Sequence, residues 1–240
     1  MKKSNDFKQK VLVVAAHPDD EVLGCGATMA KHAKNGDMVA VLILAEGITA
    51  RAVSREPGEH KHELGDLAQA AQKANDILGV FSLKLHTFPD NRMDSVDRLD
   101  VIKVVEEAIK LHSPDIVYTH HAGDVNIDHR RVQEAVIAAC RPMPGVCVKR
   151  LLFFEVASST EWQPPSSGPY FQPQWFENVS DTLHLKLQAL QAYASEMREF
   201  PHPRSIKSLE YLARWRGSIV GVDAAEAFVL GREICGKDLN

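Results

Sequence analysis

The chain has 240 residues, 45% of them hydrophobic and 25% charged, with 28 Lys and Arg against 32 Asp and Glu for a formal net charge of -4. This is the composition of a folded globular protein with a sizeable core, and it gives no electrostatic reason to expect nucleic acid; small molecules or copies of the same chain, as in a homo-oligomer, are the expected partners. The apolar run near the start is too short for a signal peptide or a membrane span, and Cys25, Cys140, Cys147 and Cys235 form no CxxC pair, which fits reduced thiols in a cytoplasmic protein.

Val11 to Ala16 is a continuous apolar run, as expected of a strand covered on both faces in a parallel sheet. A helix is expected from Glu21 to about Asn35, with acidic residues at its start and Gly36 at the C-cap. Between them stands His17-Pro18-Asp19-Asp20-Glu21, just past the carboxyl end of a strand, where open α/β sheets bind their ligands. An imidazole and a carboxylate three residues apart in a turn stiffened by Pro18 can reach one Zn2+-like ion. The same acidic residues could instead merely complement the helix dipole.

The alternation continues. Met38 to Ala45 reads as a second buried strand, His60 to Leu78 as a helix ended by Gly79, and Phe81 to His86 as a short strand. Asp97 to His112 reads as an amphipathic helix stopped by Ser113-Pro114, Asp115 to Thr119 as a strand, and Arg130 to Cys140 as a helix. Strands and helices in this order predict a Rossmann-like, doubly wound, mostly parallel α/β sheet with helices on both faces, as a single domain over 1–240. The second strand-to-helix loop of interest follows Thr119 and carries His120, His121, Asp124, Asn126, Asp128 and His129.

Brought to one cavity, the two loops supply His17, Asp20 and His129 as ligands with a further position open, the arrangement of a catalytic zinc site. Asp128 can support His129 from behind, and Asp19, beside a ligand, can take a proton from a water at the ion. His120 and His121 read equally as hydrogen-bonded interior histidines.

Past Pro142 the pattern is more mixed. A strand is expected at Lys149 to Val156, then a long loop, Ser158 to Gln174, with Trp162, Tyr170 and Phe171 in it and Trp175 just after, suited to a wall or lid for a pocket or to a subunit contact. Helices are expected from Thr182 to Arg198 and Ser205 to Val220, separated by Phe200-Pro201-His202-Pro203.

Ala16-His17-Pro18-Asp19-Asp20-Glu21 and Asn126-Ile127-Asp128-His129 resemble the two signatures of the PIG-L/LmbE-like deacetylase family, the likeness extending over about residues 10–142. The resemblance implies a zinc-dependent hydrolase that removes the N-acetyl group of an N-acetylglucosamine-type sugar, sugar nucleotide or glycoconjugate. It gives the metal to His17, Asp20 and His129 and the base role to Asp19. It also implies that Arg51 contacts substrate polar groups and that Asp90 holds sugar hydroxyls. Asn126 stands where sugar deacetylases of the family carry a histidine; its amide can donate to a developing oxyanion but cannot protonate the leaving amine. His121 and His202 are the expected substitutes for that acid. An amidase acting on a thiol-sugar conjugate would use the same residues. A nucleotide-binding module is disfavoured, because carboxylates occupy the turn where glycines would admit a phosphate.

Overall fold

The computed structural model describes residues 8–51, 58, 60–143 and 148–236. Strand β1 (Lys10–Ala15) lies at the centre of a seven-stranded sheet, and every residue from Val11 to Ala15 is fully buried. It pairs in parallel with β2 (Met38–Ala45) on one side and β4 (Ile116–His120) on the other. Parallel pairing extends outward to β3 (Ser82–Phe88) and β5 (Arg150–Phe154).

Helices cover both faces because alternate residues of β1 point opposite ways. Val11, Val13 and Ala15 join one apolar cluster with α1 (Asp20–Asn35), α2 (Lys61–Leu78) and α5 (Leu183–Ala192). Leu12, Val14 and Ala16 join another with α3 (Arg98–His112) and α4 (Ile127–Ala139). At about 25 cal/mol per Å2, two apolar layers on one fully covered strand explain why β1 tolerates no polar residue until His17 ends it. Among the described residues no helix is long and apolar enough to cross a membrane.

The expected doubly wound, mostly parallel sheet is what forms. The C-terminal third departs from expectation in two places. The sheet is completed by β6 (Trp175–Asn178) and β7 (Ala225–Glu233), two strands not placed from sequence; β7 inserts antiparallel between β5 and β6. The helix expected over Thr182 to Arg198 ends at Ala192, because Tyr193 turns inward to donate its hydroxyl to Glu21 (2.6 Å) and successive turns follow it. Helix α6 (Ile206–Val220) forms where expected, with Ser205 as its cap, whose Oγ accepts from the Ser208 amide at 3.1 Å.

Helix α4, by contrast, starts earlier than expected: Asn126 is its N-cap, accepting from the Asp128 amide at 2.8 Å, so Asp128 and His129 lie in its first turn and not in the preceding loop.

Candidate active site

In the sheet order β3-β2-β1-β4-β5 the connections leave β1 and β4 toward opposite faces, which opens a crevice at their carboxyl ends. The loops after these two strands carry the candidate residues. After β1 the chain turns sharply: the Asp20 amide donates to the His17 carbonyl (3.2 Å), and Asp19 sits at φ 109°, a left-handed conformation costly for a side chain bearing a Cβ. Such strain persists where surrounding structure holds it, and here α1 begins at once, with the Val22 and Leu23 amides donating to the Asp19 carbonyl.

His17, Asp20 and His129 come together. Asp20 Oδ2 lies 3.1 Å from His17 Nδ1 and 3.1 Å from His129 Nε2. The far nitrogen of each ring meets its own carboxylate: His17 Nε2 is 3.0 Å from Asp128 Oδ2, and His129 Nδ1 is 3.1 Å from Asp124 Oδ2. The expected pairing of Asp128 with His129 is therefore corrected. Asp128 serves His17 and also accepts the amides of Asn91 (2.6 Å) and Met93 (2.9 Å), while Asp124, from the loop before α4, serves His129. Neighbouring residues on a helix point about 100° apart, so Asp128 and His129 cannot face each other. Asp124 is in turn fixed by the hydroxyls of Ser159 and Thr160 and by the Asn126 amide.

The remaining expected residues are placed as follows. Asp90 Oδ1 reaches His17 Nε2 at 3.3 Å, and its Oδ2 accepts the Ala50 amide at 3.0 Å. Arg51 follows in a short 3-10 turn, Thr49–Arg51, and its side chain lies outside the described residues, as does Cys147. Asn126 caps α4 with its oxygen and donates one Nδ2 hydrogen to Asn91 Oδ1 at 2.8 Å, which ties this loop to the one after β3. His120 joins β4 to β1 by accepting the Ala16 amide at 2.8 Å and stacks on His129 with centroids 4.0 Å apart, as an interior histidine would. His121 accepts the Gly123 amide at Nδ1 (3.0 Å) and meets the edge of Phe171.

His202 does not reach the cluster by any hydrogen bond: its Nδ1 accepts the Arg204 amide (3.1 Å) and its ring meets Trp162 edge-on. What that turn delivers is Arg204, whose Nη1 donates to Asp19 Oδ2 at 2.9 Å. Neither Arg204 nor Asp124 was assigned a role from sequence. Asp124 stood in the right loop; for Arg204 no local signal connects position 204 with position 19.

Charge is concentrated here. Asp19, Asp20, Asp90, Asp124 and Asp128 are all at most 3% exposed. Burial of the Asp20 carboxylate favours its proton, but His129 and His17 hold its pKa well below the usual range. Burial opposes the His17 cation, yet Asp128 and Asp20 raise it well above the ordinary histidine value, and Asp20 with Asp124 pushes His129 up to about 9 against its own burial. Asp124, despite burial, is drawn down to about 2 by His129. Asp19 is raised well above the normal range by burial, against the pull of Arg204. Burial also lifts Glu21 to about 7, in opposition to hydrogen bonds from Tyr193 and Asn75.

So many buried carboxylates call for a cation. His17, Asp20 and His129 offer one ligand atom each within 4.8 Å of one another; His17, Asp90 and Asp128 form a second such group. The first is the better fit. Asp20 Oδ1 and both ring nitrogens of His129 are buried without an aligned hydrogen-bond partner, whereas both oxygens of Asp128 and of Asp90 already accept backbone or side-chain donors. Imidazole backed by carboxylate is the usual support of a histidine ligand to zinc.

A pH dependence follows for the metal-free protein. Asp20 and Asp124 push His129 up to about 9 in the folded protein from the ordinary histidine value of 6.5, so the stabilisation is complete below about 6.5 and is lost as pH rises through 9. Unfolding of metal-free protein should show stability falling from pH 6.5 to 9, by up to about 1.4 kcal/mol per pH unit for each of the two raised histidines, His17 and His129. Saturating zinc should abolish that fall, since the ion takes the proton's place. A flat metal-free profile would contradict the assignment.

The fold and the site together define a doubly wound α/β protein with a buried His/Asp cluster at the carboxyl ends of β1 and β4. Residues 12–140 match the PIG-L family, described as GlcNAc-PI de-N-acetylase, and the chain belongs to that family. It is 30% identical over 198 residues to the uncharacterized deacetylase YaiS of Escherichia coli K12, covering 80% of this chain and 94% of that protein. Among solved structures it is similar to N,N'-diacetylchitobiose deacetylase from Pyrococcus horikoshii (TM-score 0.73, 20% identity, 94% of this chain and 85% of that one). It is equally similar to 4-carboxy-2-hydroxymuconate hydratase from Pseudomonas putida KT2440 (TM-score 0.75, 21% identity, 97% and 100%). At such identities these two structures share the fold, and the chemistry has to be argued from the site.

Proposed function

We propose that the protein hydrolyses the acetamido group of an N-acetylglucosamine-type sugar or glycoconjugate, with Zn2+ held by His17, Asp20 and His129 and with Asp19 as the base. The observation that carries this reading is the double carboxylate backing. Each imidazole turns one nitrogen to Asp20 and the other to a separate buried carboxylate, Asp128 or Asp124. When bound there, a divalent ion supplies a Lewis acid that lowers the pKa of water and draws charge from the acyl oxygen.

The chain's own residues do the rest. Asp128 and Asp124 fix ring orientation and tautomer, so that His17 Nδ1 and His129 Nε2 are the nitrogens offered to the ion. Asp19 accepts the proton of the attacking water as its oxygen bonds to the acyl carbon. As the C–N bond breaks, the amine needs a proton, and Asp19 returns the one it took, giving acetate and a free amino sugar. His121 is a poor imidazolium donor near neutrality, because its burial lowers its pKa, and His202 is turned toward Arg204 and Trp162. Asp90, whose Oδ2 accepts the Ala50 amide, is the residue we assign to sugar hydroxyls and Arg51 the one we assign to other polar groups of the substrate, whereas Asn126 caps the helix whose first turn carries Asp128 and His129.

Acetate release tests the reading. Purified zinc-loaded protein is offered N-acetylglucosamine, diacetylchitobiose, UDP-N-acetylglucosamine and N-acetylglucosaminyl conjugates, thiol-sugar conjugates among them. Stoichiometric acetate and free amine from at least one are expected. No acetate from any, together with hydration of 4-carboxy-2-hydroxymuconate, would point instead to the chemistry of the hydratase that shares this fold.

A further inference from the structure

Three acidic residues stand in a row after β1, and the structure gives each a different partner. Glu21 Oε1 is held by the Tyr193 hydroxyl (2.6 Å) and Asn75 Nδ2 (2.9 Å), Asp20 faces His17 and His129, and Asp19 Oδ2 is held by Arg204 Nη1 (2.9 Å). Without such sorting, adjacent carboxylates would be interchangeable partners for one cation. We propose that Arg204 is the positioning residue that keeps Asp19 in place as the base, off the ion and with its second oxygen toward the cleft; the proposal rests on the deacetylase reading above.

The turn between α5 and α6 is organised around this delivery. The Arg198 amide donates to the Arg204 carbonyl, the Arg204 amide donates to His202 Nδ1, and the Ser205 amide donates to the His202 carbonyl. Ser205 then caps α6, which anchors the turn on a helix. The guanidinium is steadied on its other edge, where Nε donates to Ser158 Oγ at 2.7 Å. A planar fork held along Nε has a fixed direction for Nη1, which a lysine ammonium cannot reproduce. The contact joins residues 185 positions apart, and the Asp19 side chain is only 2% exposed against 23% for Arg204. Arg204 therefore closes the base off on one side while remaining reachable from solvent itself.

The test is a double-mutant cycle between Arg204→Met and Asp19→Asn, with Arg204→Lys as a milder variant that keeps the charge. In the wild-type background Arg204→Met should lower kcat by about 10- to 100-fold and move KM by less than about threefold, with one zinc per chain retained. Arg204→Lys should fall between, and added guanidinium should restore part of the Arg204→Met rate. In the Asp19→Asn background the same Arg204→Met change should cost less than about threefold, because the group it acts through is gone. An equal loss in both backgrounds, or a near-wild-type kcat for Arg204→Met, would overturn the proposal. Thermal unfolding of the wild type, Arg204→Met, Asp19→Ala and their double variant, in which the contact itself is removed, reads the pairing without turnover. A stability coupling between the two sites is expected, and none would overturn the pairing even if no acetamido sugar proves to be a substrate. A wild-type protein that releases no acetate would instead count against the deacetylase reading.

Discussion

Replacing Asp19 with asparagine is expected to lower kcat by about 10²- to 10⁴-fold while one zinc per chain stays bound. The exchange is nearly isosteric. An amide oxygen can still accept from Arg204 Nη1, so the strained turn at φ 109° and the start of α1 should survive. What is lost is the capacity to take a proton from water and hand it to the departing nitrogen. Neither of the two nearby histidines considered for that work replaces it: Gly123 and Arg204 amides occupy their Nδ1 atoms, and burial keeps His121 neutral. Steady-state kinetics with parallel metal analysis decide the matter. A variant within about tenfold of the wild-type kcat would remove Asp19 from the mechanism.

Replacing His129 with alanine should abolish both zinc binding and turnover. The change removes one of three ligand atoms and also strands two carboxylates, Asp20 and Asp124, that now share its ring at 3.1 Å on either side. Both are buried, and leaving buried charge unpaired costs roughly 3 kcal/mol or more, so the metal-free variant should also unfold at lower denaturant. Asp90→Asn is the useful contrast. Asp90 belongs to the second candidate cluster, with His17 and Asp128, and not to the first, so its amide variant should keep one zinc per chain. Loss of zinc in Asp90→Asn and retention in His129→Ala would move the ion to the second cluster.

The parallel half of the fold and the clustering of His17, Asp20 and His129 were legible in the sequence for the same reason. A strand buried on both faces has to be apolar throughout, so the point where Val11 to Ala16 gives way to His17 marks both the end of a strand and the mouth of the crevice. The helices were equally readable where glycine ends them in the left-handed conformation, at Gly36 and Gly79. The rest depends on contacts between distant positions. Strand β7 is buried only in its first half and fades to partly exposed residues as Glu226-Ala227-Phe228 passes to Gly231-Arg232, so it lacks the continuous apolar run of β1 or β2. Helix α5 ends because Tyr193 is needed by Glu21, which no local pattern announces. The assignment of Asp128 to His129 failed on direction, since adjacency in sequence separates two side chains around a helix. Attention to the Pro201-His202-Pro203 turn found the right segment, but the residue that reaches Asp19 stands one place beyond it.

The most direct measurement is a crystal of the zinc-loaded protein with anomalous data at the zinc edge. A single peak is expected between His17 Nδ1, Asp20 and His129 Nε2, with ligand distances near about 2.0–2.2 Å. A peak on the other side of the His17 ring, between Nε2, Asp90 and Asp128, or no peak in protein that releases acetate, would contradict the account.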